Sequence, residues 1–67
     1  MNLSVNGENI TTGDKPTITE LLAHIGLSED KVMACAVDGA VVKKAEWGSR
    51  KLEEWQKIEL LNFVGGG

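Results

Sequence analysis

Only one stretch of this chain has the pattern of a helix of useful length: Thr17 to Leu27, "TITELLAHIGL". Ile18, Leu21, Leu22 and Ile25 recur at i, i+3, i+4 and i+7, which gathers them on one helical face. Thr17 and Glu20 stand at the spacing of a capping box, in which each side chain satisfies a main-chain N–H of the other. Gly26 is placed to adopt the left-handed conformation that ends a helix, with Leu27 packing back. One helix of about ten residues can cover one face of one sheet. The rest of the core must therefore come from strands.

The strands are short and punctuated by turn signals. Leu3 and Val5 alternate with Asn2 and Ser4, the period of a half-buried strand. Asn6-Gly7 is a hairpin signal, because both residues of a type I′ turn need positive φ. Asn9 to Thr12 reads as the returning strand, and Gly13 to Pro16 as a loop. Ser28 to Lys31 reads as a turn or one short helical turn. Val32 to Asp38 is apolar and reads as a buried strand, with Met33, Cys35 and Val37 alternating toward the core. Asp38-Gly39 signals a second hairpin, and Ala40 to Val42 returns. Lys43 to Ser49 reads as an irregular connection with a short helical turn, Lys51-Leu52 as a short strand, and Lys57 to Val64 as the last strand. Strand, strand, helix, strand, short strand, final strand is an α+β order. It suggests a β-grasp: a four- to five-stranded mixed sheet packed on one main helix, with the last strand parallel to the first and beside it.

Composition narrows the function classes. At 67 residues the chain is a single domain, and a domain of this size buries only about 60% of the surface its unfolded chain exposes. A net charge of −3 argues against a nucleic-acid binder and favours a basic protein partner. A single cysteine excludes an internal disulfide and fits a reducing, cytoplasmic setting. There is no signal-peptide pattern and no transmembrane run. His24 and Cys35 are too few for a metal site.

The chain closes on "LNFVGGG". Glycine brings no side chain to a core and loses the most backbone freedom on ordering. A glycine run is thus a frayed end or a segment whose backbone is the tool. Just before it, the period of two puts Ile58, Leu60, Asn62 and Val64 on one strand face and Lys57, Glu59, Leu61 and Phe63 on the other. If Ile58 and Leu60 face the helix, Leu61 and Phe63 point outward near the tail, where an apolar patch suits docking to a partner.

The ordered set "SVNGE", "TITELL", "AVDGAVV", "AEW" and "VGGG" resembles the ThiS family of sulfur carrier proteins of thiamine biosynthesis, which are ubiquitin-like β-grasp proteins. The resemblance covers essentially the whole chain. It implies a β-grasp domain over residues 1–64 and a flexible tail over residues 65–67, Gly65, Gly66 and Gly67. It further implies that a ThiF-like adenylating enzyme, using ATP and magnesium, activates the carboxylate of Gly67. Sulfur from a persulfide donor then gives a thiocarboxylate, and thiazole synthase uses that sulfur. The chain itself is then a monomeric carrier and not an enzyme, with no catalytic side chain and no bound cofactor. Leu61, Phe63 and Val64 become the partner-binding residues. The same end chemistry would also serve molybdopterin synthesis, other sulfur transfers, or a ubiquitin-like modifier. The chain departs from the family pattern at three places: it has three closing glycines where many relatives have two, Lys43-Lys44 where Pro-Arg is common, and Trp55-Gln56 where a Gly-Asp turn is frequent.

Four other residues read as structural. Cys35 is a small core hydrophobe. Trp47 anchors the core, Trp55 lies in a turn and is partly exposed, and His24 falls off the apolar helix face into solvent. Glu53 and Glu54 read as a solvated charge pair in the same turn as Trp55.

Overall fold

The structure, a computed structural model, describes residues 1–62. The two last residues expected for the final strand, Phe63 and Val64, and the glycines Gly65, Gly66 and Gly67 lie outside the described residues. Strands β1 (Asn2–Val5) and β2 (Glu8–Thr11) are followed by helix α1 (Ile18–His24), then by β3 (Val32–Val37), β4 (Ala40–Val41) and β5 (Lys57–Asn62). Short 3-10 turns cover Glu29–Lys31 and Lys44–Glu46. The five strands form one sheet in the order β2-β1-β5-β3-β4. β5 is central, parallel to β1 through Ser4–Lys57 and Val5–Ile58 and antiparallel to β3. This is the β-grasp arrangement that the element order implies.

The helix forms where its end signals stand. Thr17 accepts from the Glu20 N–H at 3.1 Å, and the Glu20 carboxylate accepts from the Thr17 N–H at 2.8 Å. At the other end Gly26 takes φ +82. The Leu27 N–H reaches the Leu22 carbonyl at 2.9 Å and the Gly26 N–H reaches that of Ala23 at 3.2 Å. This pair of bonds is a Schellman motif, which satisfies carbonyls the helix would otherwise leave open. Ile25 therefore belongs to the cap and is half-buried, while Ile18, Leu21 and Leu22 are buried. They meet Leu3, Val5, Val32, Cys35, Val37, Ile58 and Leu60 from the sheet in one core. Trp47 closes one end of that core, 1% exposed, with its indole N–H donating to the Val42 carbonyl at 2.9 Å.

Three expectations need correction. Met33 is 52% exposed, not a core residue. The β3–β5 register shifts between Val32 and Ala34, and the extra residue lets Val32 and Cys35 both face the core while Met33 turns out. Lys51-Leu52 is not a strand: Lys51 makes one isolated bridge to Thr17, and Leu52 is a core side chain. The returning strand β2 starts at Glu8 and ends at Thr11, because the type I′ turn uses only Asn6 and Gly7, at φ +49 and +86.

Candidate functional site

β5 brings the chain from the centre of the sheet to the root of the glycine end. Its inner residues Ile58 and Leu60 are buried against the helix side, while Lys57, Glu59 and Leu61 are exposed on the outer face. Leu61, expected to point outward, is 58% exposed. Phe63, expected to point outward with it, and Val64, also expected to bind a partner, lie outside the described residues. Asn62 is half-buried, and its side-chain oxygen is buried without a hydrogen-bond partner among the described residues.

The outer face carries more apolar surface than Leu61 alone. Leu61 pairs with Ala34 across β5 and β3, Glu59 with Ala36, and Ala36 in turn with Val41 on β4. Residues paired across strands share a face. Two alanines therefore floor a shallow depression of about 320 Å³ whose rim includes Leu61, Val41 and Glu59. Val41 is 76% exposed. Among the described residues no helix covers this side, since α1 packs its apolar stripe on the other. Val41 and Met33 were missed as surface residues for different reasons. Val41 looked like any residue of a returning strand, and the bulge that exposes Met33 leaves no mark in the amino-acid order.

Both hairpin tips grip β5. Asp38, at φ +50, accepts the Lys57 N–H through its carboxylate at 2.8 Å and donates its own N–H to the Lys57 carbonyl at 2.8 Å. Asn6 accepts the Leu60 N–H at 2.8 Å and donates from its side-chain amide to the Leu60 carbonyl at 3.2 Å. The Asx-Gly pairs were legible as turns; their side chains' hold on the central strand was not.

The turn before β5 spans Glu53 to Gln56, closed by the Gln56 N–H to the Glu53 carbonyl at 3.2 Å. Trp55 takes φ +63 there and is 63% exposed, a conformation ordinarily given to glycine or asparagine. Glu54 is more than a solvated charge, since its carboxylate accepts the Asn2 N–H at 2.7 Å and ties the turn to β1. Glu53 pairs with Lys15 at 3.4 Å with both side chains more than half exposed, so the pair adds little stability. His24 is exposed, and its ring nitrogen lies 2.9 Å from the Thr11 carbonyl.

The titratable groups show no catalytic constellation among the described residues. Burial pushes the Cys35 thiol up, with Arg50 opposing weakly, which suits an inert core residue. The Glu20 carboxyl is held below the usual range, foremost by the Thr17 N–H of the capping box. No group of three or more His, Cys, Asp and Glu among the described residues could hold a metal ion. No helix among them is long and apolar enough to cross a membrane.

Known proteins resemble this chain over its whole length. A thiazole synthase from Magnetococcus marinus is 34% identical over 67 residues, all of this chain but 20% of that protein. The chain thus spans about a fifth of the length of that curated relative. The crystal structure of a thiamine biosynthesis protein (ThiS) from Geobacter metallireducens is similar at TM-score 0.80 and 28% identity, covering 100% of both chains. An NMR solution structure of a thiamine biosynthesis protein from the same organism is similar at TM-score 0.79 and 26% identity, covering 100% of this chain and 88% of that one. The ThiS family model matches residues 2–67. With the sheet order, the capped helix and the glycine end all inside that match, the chain belongs to the ThiS family.

Proposed function

We propose that this chain is a sulfur carrier whose reactive group is the main-chain carboxylate of Gly67, at the end of a tail formed by Gly65, Gly66 and Gly67. The observation that carries this reading is a family match that runs through the glycines to residue 67. A carboxylate is a poor acyl donor because its leaving group is oxide. Adenylation by a ThiF-like partner, with that partner's ATP and magnesium, expels pyrophosphate and makes AMP the leaving group. Sulfur from a persulfide donor displaces the AMP, and a thiol releases the thiocarboxylate by reducing the resulting disulfide. Splitting one hard step into easier ones is the logic of covalent activation. The chain supplies no catalytic side chain and binds no cofactor of its own. It acts as substrate and donor, in the cytoplasm.

Glycine suits the tail because it has no Cβ, so its backbone can enter a narrow active-site channel. Three such residues reach about 10 Å when extended, at ~3.3 Å each. Docking falls to the apolar outer face around Leu61, with Phe63 and Val64, the apolar residues that follow in sequence, proposed as further partner contacts. Thiazole synthase is the proposed acceptor, supported by the segment within the Magnetococcus protein of that name that matches this chain.

The test is intact mass after incubation with a thiamine-pathway adenylating enzyme, ATP, magnesium and a cysteine-desulfurase sulfur source. The expected result is a shift equal to sulfur replacing oxygen, located in the C-terminal peptide. An unchanged mass beside a competent control carrier would reject the reading. Removing Gly67, or blocking it with a C-terminal tag, should leave folding intact and abolish the shift.

A further inference from the structure

The outer face of the sheet is divided along β5. On the β1 side the register gathers Asn2, Ser4, Asn9 and Thr11, all polar and uncharged. On the β3 side it gathers Ala34, Ala36 and Val41 beside Leu61. Lys57 pairs with Ser4 and belongs to the polar half. Glu59 pairs with Ala36 and stands inside the apolar half, with Leu61 two residues on. Among the residues that line the depression there, Glu59 alone is charged. The ion pair that the described residues contain joins Lys15 to Glu53. Among those residues no cation pairs with Glu59, and Lys57, the nearest along the same strand face, is not within pairing distance of it.

An exposed carboxylate is satisfied by water. Covered by an apolar surface, the same carboxylate loses its hydration, and only an opposed cation offsets the loss. The floor of the depression suits such a cation. With only methyl groups at positions 34 and 36, the apolar stem of an arginine or lysine can lie across it and carry its charge to the rim. The chain's net charge of −3 favours a partner surface of the same positive sign.

We propose that Glu59 is a specificity-determining residue of the docking face: it selects a partner that lays an arginine or lysine across Ala34 and Ala36 and pairs that charge with the Glu59 carboxylate. The proposal rests on the carrier function above and commits the face to the adenylating enzyme. An apolar patch alone accepts many apolar surfaces. A carboxylate set within it rejects those that bring no cation.

The experiment measures Kd for the adenylating enzyme with the wild-type chain, Glu59→Gln, Glu59→Lys and Glu53→Gln, at about 0.05 M and about 0.5 M salt. Glu59 is exposed, so its variants should keep the urea midpoint of the wild-type chain. Glu53→Gln removes the same charge from the turn before β5 and controls for net charge. At low salt, Glu59→Gln should bind about tenfold more weakly, Glu59→Lys about a hundredfold, and Glu53→Gln within about twofold of the wild-type chain. Raising the salt should weaken the wild-type chain more than Glu59→Gln. Wild-type affinity in Glu59→Gln, or equal losses in Glu59→Gln and Glu53→Gln, would overturn the selecting role and leave the carrier function standing. A wild-type chain that is neither bound nor adenylated would overturn the carrier function, and the role of Glu59 with it.

Discussion

Trp55 holds a backbone conformation that a large L-residue adopts at a cost of about 1–2 kcal/mol. Glycine there would relieve the strain and give back part of it as unfolded-chain entropy. Trp55→Gly should therefore raise stability by about 0.5–1 kcal/mol, read as a higher urea midpoint at unchanged slope. The variant keeps Trp47 alone, so its fluorescence should report a buried indole. Cys35 makes the opposite case. It is fully buried and its thiol is pushed up, so it should react with a thiol reagent at mildly alkaline pH only as fast as the protein opens. A fast burst of labelling in the native state would refute its core role. At this scale the sequence was most informative where a residue's job is local. The Asx-Gly turns and the core cysteine needed only their neighbours to be read. The grip of Asn6 on Leu60 joins residues 54 positions apart, and no local pattern encodes that.

Among the elements, the helix was the most legible because its signals lie within a few residues of one another. Thr17→Ala should cost about 1 kcal/mol by removing the cap, and Gly26→Ala a similar amount by forcing a Cβ into the left-handed region. Leu21→Ala should cost about 2–5 kcal/mol, since that side chain is fully buried. Glu20 adds a pH signature. Its folded-state pKa is depressed, so its stabilisation is full above the unfolded value and is lost as pH falls through the folded one. The stability gap between the wild-type chain and Glu20→Gln should be present at neutral pH and close in acid. A gap that stayed constant with pH would reject the capping carboxylate as its source. The strands were less legible at their ends. Val32 to Asp38 was readable as a strand, one residue longer than β3, but its bulge arises from pairing with β5, so the exposure of Met33 appeared only with the partner in place.

At the scale of the whole molecule, the helix covers one side of the sheet, and the other is open among the described residues. Leu61→Arg should leave the unfolding midpoint nearly unchanged, because Leu61 is already in water, and should weaken binding to the adenylating enzyme by about tenfold or more. Equal affinity for the two proteins would remove the outer face as the docking surface. The sheet order was readable from the succession of elements, because one helix and two hairpins leave few ways to place the last strand.

That order also acts as a check on the finished product. β1–β2 and β3–β4 do not pair with each other; each pairs only with β5. A chain cut after Gln56 would hold two unjoined hairpins and a helix with half a core to cover, and it should show the amide spectrum of an unfolded chain. The strand that leads to the glycines is thus the keystone of the sheet. A copy damaged or unfinished there would not circulate as a folded decoy, competing for the partner with nothing to deliver. On the proposed carrier function, loss of this strand would remove the fold together with the tail it leads to, whereas loss of Gly67 alone would leave the fold standing.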